Sequence, residues 1–375
     1  MTTSTEFRDL LRPAILRSGS GLQEVVHYVV SKYKQFPVAY TLLSYLFFTM
    51  AFCYYPMIDH WLTGFIMMSL PLAVVGGFAA CLYLFYKKQS LVATAGLIWV
   101  LFSFVVAKRL VGNSDGELNT GNGQPLNVLS FNSETFLLNP HGRGFDPTAL
   151  KADIACFQEY SPNVLIERQY VNKLEKLSCF EKDRQVGLAL FSSYPIVRKY
   201  SRIWNRPNGP EINGFLCADI AYGNDTIRVV NVHLWSMGVR TDQLIKSLKA
   251  GNIGQSFLAF ADIFSRLKEG FENRNEQLSE VESYVVGSRY PVLICGDFNE
   301  LPIGYSYGKL SQNFQNAFEE AGQGLGFTLN RHPYCARIDQ QFVSHHWQIK
   351  TCQTLSGISF SDHFPVLAQY VLKAQ

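Results

Sequence analysis

Six places in the sequence set polar side chains at the end of an apolar run. "NVLSFN" ends on Asn132, with Glu134 two residues on, and "ADIACFQE" ends on Glu159. "NVHL" carries Asn231 and His233 at alternate positions, and "GDFN" delivers Asp297 and Asn299. "RIDQQF" presents Asp339, and "FSDHFPV" opens with Asp362 and His363. Alternate strand residues share a face, so each of the two alternating pairs is expected to point one way. Carboxylates, amides and imidazoles gathered at strand ends make an acidic cleft. Such oxygen-rich sites suit a hard cation, Mg²⁺ with Mn²⁺ as its substitute, which takes few protein ligands and keeps several waters. Mg²⁺ in turn serves phosphate chemistry. A single Asp or Asn after a strand is most often a turn former. A lone His on an apolar run is most often a satisfied core residue. Six such placements in one chain are hard to read as coincidence.

The elements that must position these residues are short runs rich in Val, Ile, Leu and Phe. They fall at 126–131, 152–158, 186–192, 214–222, 226–234, 291–298, 338–344 and 364–372. Helical stretches are expected at about 240–286 and 312–321. The pattern predicts an α/β layout with many strands, best satisfied by sheet packed on sheet with helices outside.

The ordered set "NVLSFN", "FQE", "NVHL", "GDFN", "RID" and "SDHFPV" resembles the endonuclease/exonuclease/phosphatase superfamily across 126–372. The resemblance implies a four-layer α/β sandwich, two packed sheets flanked by helices, with the active site at one end. It implies Glu159 as the main metal ligand, Asn132 as its neighbour and Asp362 close by. Asp297 would orient or deprotonate the attacking water, and Asn299 would be its partner on the phosphate. His363 would bind a phosphate oxygen, held in its tautomer by Asp339. His233 is similar to the second histidine of the sphingomyelinase-like and phosphatase-like branches. Glu134 stands where some nuclease branches have Asp, which leaves its role open. Asn231, Glu134, Arg206 in the loop "IWNRPNGPEING" and Tyr305 are candidate substrate contacts. The resemblance implies a metal-dependent phosphoric ester hydrolase.

Charge is divided unevenly. Residues 1–109 carry nine Lys/Arg against four Asp/Glu, and the remainder carries 24 against 26. A domain that tracks a nucleic-acid backbone is usually basic, and the long C-terminal part is not. Eight cysteines are present without a CxxC, which argues against a thiolate zinc site. Cys53 and Cys81 lie in apolar N-terminal stretches and Cys156 and Cys295 in strand-like runs, whereas Cys179, Cys217, Cys335 and Cys352 leave pairing open.

Three uncharged apolar stretches, 38–58, 61–86 and 91–107, precede all of this. Crossing a bilayer takes about 17–25 residues, so three transmembrane helices are expected within an all-α region at 1–110. "LQEVVHYVVSKYK" reads as an amphipathic surface helix before them. A Gly/Asn-rich linker at 111–125 then leads to the catalytic domain at 126–375. Lys/Arg counts place the N-terminus inside, with seven basic residues there and two outside. Three spans would deliver the catalytic domain to the extracytoplasmic, periplasmic side of an inner membrane. The expected partners are the bilayer and a phosphorylated lipid or headgroup, with no protein partner implied. The similar three-span plan of family members linked to glycopeptide resistance points toward polyprenyl-pyrophosphate lipids, and sphingomyelinase-like members point toward phosphodiester lipids. The alternative is an anchored nuclease, which predicts a basic groove near Arg202, Arg206 and Arg240. A non-enzymatic binding module would not need the intact motif set.

Overall fold

The computed structural model describes residues 20–113, 124–136, 150–181, 184–205, 212–238, 242–331, 336–358 and 360–373. Most of the expected linker and Arg206 lie outside them. The chain separates into two compact units. One holds the residues through Tyr54 together with Phe65–Ala107, and the other holds Tyr55–Gly64 and everything from Lys108 onward.

The first unit is helical: Ser20–Gln35, Pro37–Tyr54, Leu70–Tyr86 and Ser90–Ala107, with the end of Trp61–Met68. Small residues let these helices approach closely. A Cβ at Gly77 would stand 2.7 Å from a Leu46 methyl carbon, which is too near for any side chain. One helix, Pro37–Tyr54, is long and apolar enough to cross a membrane. The second expected span is instead broken, with Trp61–Met68 and Leu70–Tyr86 meeting at 54°. Pro71 has no N–H to give the preceding turn, and the Ser69 hydroxyl takes the Ile66 carbonyl at 2.7 Å. The third, Ser90–Val106, is apolar but shorter. Among the described residues, one helix alone has the length and hydropathy of a span, and the bent pair would make a second.

The second unit is built on strands β1 (Gly112–Asn113), β2 (Pro125–Asn132), β3 (Ile154–Tyr160), β4 (Asn172–Glu181), β5 (Arg184–Ser192), β6 (Ile196–Ile203) and β7 (Gly214–Tyr222). They continue with β8 (Asp225–His233), β9 (Val292–Asp297), β10 (Gln315–Asn316), β11 (Gln323–Gly324), β12 (Asp339–Val343), β13 (Trp347–Thr354) and β14 (Val366–Leu372). One six-stranded sheet runs β10-β12-β9-β8-β7-β6 and the other β13-β14-β2-β3-β5-β4. Both are mixed. Each has one parallel pair at its centre, β8 with β9 and β2 with β3.

The sheets face each other across a core that includes Val128, Ile154, Leu190, Leu216, Val229, Leu293 and Tyr370. The opposite faces of the strands are buried too. Phe131, Phe157 and Phe191 pack with Leu150, Ile166 and Ala152 on the outer side of the second sheet. The C-terminal half of the long helix Ile253–Val285 covers the first, with Tyr284 stacked on Tyr200 at 4.6 Å and edge-on to Phe215. Burial on both faces explains why the central strands read as unbroken apolar runs. It also explains what the sequence pattern missed. The described residues of edge strands β4 and β6 are all exposed or half-buried, and these strands carry charges such as Lys173 and Lys199.

Candidate active site

The topology decides where the polar residues meet. In a parallel pair both C-terminal ends lie at the same edge of the sheet. β2 and β3 therefore bring Asn132 and Glu159 to one end, and β8 and β9 bring His233 and Asp297, which are direct register partners. The neighbours β12 and β14 run antiparallel, so they begin where those strands finish. Asp339 opens β12 opposite Asp297, and His363 sits just before β14. Ligands of open α/β sheets bind outside the carboxyl ends of strands for this same reason.

Two irregularities aim the side chains. Glu159 lies in a bulge of β3 between Phe157 and Tyr160, with φ of 47°. Bulges of this kind re-aim a side chain beside an active site. Gly296 has φ of 149°, and a Cβ there would meet the Val232 carbonyl oxygen at 1.9 Å, so only glycine can precede Asp297. Strand β9 then stops. Asn299 adopts φ of 50° and donates its backbone N–H to Asp297 Oδ1 at 2.7 Å. Its Nδ2 donates to the Leu234 carbonyl at 2.9 Å. The expectation that Asp297 and Asn299 share a strand face is thus replaced by an Asx turn, which competes with the ladder for the Asn299 backbone.

Asp297 is the centre of the cluster. It is buried, and Asn132 Nδ2 donates to its Oδ2 at 3.0 Å. The same Nδ2 reaches Glu159 Oε1 at 3.3 Å. Two imidazole Nε2 atoms face Asp297 Oδ2, His233 at 3.7 Å and His363 at 3.8 Å. His233 Nε2 is also 3.7 Å from Glu159 Oε1. His233 Nδ1 lies 3.1 Å from the Ile212 carbonyl, to which it donates, and Nε2 is turned to the carboxylates. His363 Nδ1 instead meets Asp339 Oδ2 at 2.9 Å.

The electrostatics follow from burial and neighbours. Burial raises the pKa of Asp297, Asp339 adds to the rise, and His363, His233 and Asn132 oppose it. Glu159 is raised by burial against the pull of His233, His363 and Asn132. Glu134 is raised by burial and by Asp362. Burial disfavours the charged form of His363, but Asp339 and Asp297 outweigh it and lift its pKa to about 10. His363 is therefore an imidazolium at neutral pH.

The SDH segment is pinned to the end of β2. Ser361 Oγ donates to the Asn132 carbonyl at 2.7 Å, and Glu134 Oε2 accepts from the Asp362 N–H at 3.1 Å. Asp362 Oδ2 is 3.2 Å from Arg331 Nη1, and its Oδ1 is 3.8 Å from His363 Nε2. Glu134 here holds a loop, through a turn with φ of 40°. Asn231 is not brought to the cleft. It lies two residues below His233 and ties the sheets together: its Oδ1 accepts from Gln158, and its Nδ2 donates to the Phe157 and Ala189 carbonyls. With each polar atom bonded in the core, it has none to offer a substrate. Tyr305 is also buried, with Asp59, Glu282 and Glu300 as its charged neighbours, so it stands outside the cluster.

The sequence pattern missed a brace behind the site. Arg274, fully buried on the Ile253–Val285 helix, donates through Nη1 to the Asn299 carbonyl and lies 3.6 Å from Glu300. One turn on, Gln277 Oε1 accepts the Trp235 N–H at 2.8 Å. One helix thus holds the chain just after His233 and just after Asp297. The only sequence signal was a charged residue on an otherwise apolar helical face.

The donors fit a divalent cation. Asp297 is a buried carboxylate and Glu159 a half-buried one, no Lys or Arg pairs with either among the described residues, and such uncompensated negative charge is what a hard cation neutralises. Asp297, Asp339 and His363 offer atoms within 4.8 Å of one another. His363 and Asp339 are already committed to each other, however, and an imidazolium repels a cation. Glu159 with the Asn132 amide is the better seat.

Two mixed sheets carrying buried carboxylates and two imidazoles at one end define a metal-dependent phosphoester hydrolase. Residues 126–363 match the endonuclease/exonuclease/phosphatase family, and the chain belongs to it. Among solved structures, it is similar to an endonuclease/exonuclease/phosphatase from Beutenbergia cavernae, with 17% identity, TM-score 0.48, and coverage of 67% of this chain and 72% of that one. It is also similar to the human Nocturnin catalytic domain with bound sulfate, with 15% identity, TM-score 0.46, and coverage of 66% and 95%. Sphingomyelinase C from Streptomyces griseocarneus has 17% identity, TM-score 0.43, and coverage of 66% and 99%. No curated protein matches the chain.

Proposed function

We propose that this chain is a membrane-tethered, Mg²⁺-dependent hydrolase of a phosphorylated lipid or lipid headgroup. One observation carries the chemistry: Asp297 faces the Nε2 atoms of both His233 and His363 at 3.7 and 3.8 Å. A water held by Asp297 would attack in line on a phosphorus whose oxygens lie against the two imidazoles. Proton transfer by a positioned carboxylate and charge stabilisation by preorganised donors are the two terms such a reaction needs. His363, protonated on Asp339, stabilises the charge that develops on the phosphoryl oxygens. His233, with Nδ1–H given to Ile212, presents Nε2 to the same space. Glu159 and Asn132 would hold a Mg²⁺, which supplies further positive charge at the phosphate.

The lipid reading is supported by the apolar helix Pro37–Tyr54 and by the absence of basic excess after residue 109. The counts of Lys and Arg support an inside N-terminus and an extracytoplasmic catalytic unit in a multi-pass inner-membrane protein. The test is hydrolysis by full-length protein in detergent with Mg²⁺, using Asp297→Asn as control. A pyrophosphate lipid, a choline or ethanolamine phospholipid, and single- and double-stranded oligonucleotides are offered in parallel. Inorganic phosphate or a phosphorylated headgroup released from lipid is the expected product. Cleavage of oligonucleotides with inert lipids would overturn the lipid assignment in favour of an anchored nuclease.

A further inference from the structure

The long helix Ile253–Val285 does two jobs along its length. Its C-terminal half is buried: Phe271, Arg274, Leu278, Val281 and Val285 pack into the catalytic unit. Its N-terminal half exposes Ile253, Phe257, Phe260 and Phe264, at 85%, 69%, 58% and 40%. The spacing i, i+4, i+7, i+11 puts all four on one helical face. The preceding helix, Asp242–Lys249, packs beside it through Ser247 and Ser256 and exposes Ile245 and Leu248. An apolar stripe of aromatic residues is a costly surface to leave in water.

The stripe does not end in solvent. Phe264 meets the Trp61 ring edge-on at 5.9 Å, and Lys268 stands over the same ring. Asp59 Oδ1 accepts from Asn275 Nδ2 at 2.7 Å, and a Cβ at Gly64 would run into the Phe271 ring. Tyr55–Gly64 is thus part of the catalytic unit, seated on this helix. At either end that connector continues directly into apolar helices, Pro37–Tyr54 and Trp61–Met68. Trp is the residue that sits at the boundary between lipid and water. Lys246 lies elsewhere: it lines a groove with Leu258, Ala259 and Asp262 on the side of the helix away from the stripe. An exposed aromatic helical face suits a bilayer surface.

We infer that Ile253, Phe257 and Phe260 dock the catalytic unit on a lipid bilayer surface. This rests on the membrane-tethered reading above. It deepens that reading, because the helix that touches lipid is the one whose Arg274 and Gln277 hold the catalytic loops.

The experiment uses the full chain in nanodiscs of phosphatidylglycerol and phosphatidylethanolamine. Photoreactive benzoylphenylalanine replaces in turn Phe257, Phe260, Phe47 in the apolar helix, and the fully exposed Val171. Lipid adducts at 257, 260 and 47, with none at 171, are expected. Adducts at 47 alone, or cross-links from 257 to a second copy of the chain, would overturn the docking surface and leave the tether standing. Loss of lipid adducts at 47 would instead overturn the tether, and the docking surface with it.

Discussion

The two sides of the site hold the same group by different means. On the β8 side, His233 rests its Nδ1 on a backbone carbonyl, Ile212. On the β12–β14 side, His363 rests its Nδ1 on a carboxylate, Asp339. Both place Nε2 almost equally far from Asp297. A carbonyl fixes a tautomer without a full charge, whereas a carboxylate fixes it and favours the proton. Matching geometry therefore conceals two different tools, and the supporting atom tells them apart.

The strongest way to break the comparison is to remove what both imidazoles face. Asp297→Asn is expected to lower kcat by about 10³-fold, the scale of a lost positioned base. Phosphate release measures it, with far-UV circular dichroism to show an intact fold.

Removing one support comes next. With the His363 pKa at about 10, activity should fall as pH rises through that value. Because the folded pKa lies above the ordinary 6.5, the imidazolium also stabilises the fold fully below pH 6.5, and this is lost as pH rises through about 10. Asp339→Asn should move the alkaline limb of kcat/KM to lower pH, while His233→Gln should lower the rate and leave that limb in place. A limb that stays fixed in Asp339→Asn would sink the distinction between the two sides.

Glu159→Gln should raise the Mg²⁺ concentration for half-maximal rate by about 10- to 100-fold, with the alkaline limb unchanged. A titration after chelator treatment measures this. Arg274→Met is expected to cost roughly tenfold in kcat with little change in KM, because the Asn299 turn loosens without losing a substrate contact. Smallest in rate is Asn231→Leu. It leaves inter-sheet partners unsatisfied and should lower stability by about 1–3 kcal/mol in urea titrations, with the folded enzyme's activity retained.

These contrasts also mark how far the sequence could be read. Val128 to Phe131, Ile154 to Phe157 and Val292 to Cys295 announced their strands because both faces are buried. Strand β6, "IVRKYSRI", did not, since this edge strand buries neither of its faces fully and keeps its charges in water. The apolar span at 61–86 was legible as apolar but not as bent, because the bend depends on how Ser69 and Pro71 settle the local hydrogen bonds. Asn231 and His233 look equivalent in "NVHL". Only their depth between the sheets separates a core tie from a site residue.

The sequence by itself determined the inventory: the apolar runs, the polar residue that ends each, and their order along the chain. These are local facts, set by period and residue type. The tertiary structure alone decided which ends meet, that Glu159 turns out of a bulge, that Asn299 leaves the strand, and that Arg274 braces the catalytic loops from a helix. Those outcomes rest on contacts between residues far apart in the chain, and no local pattern encodes them.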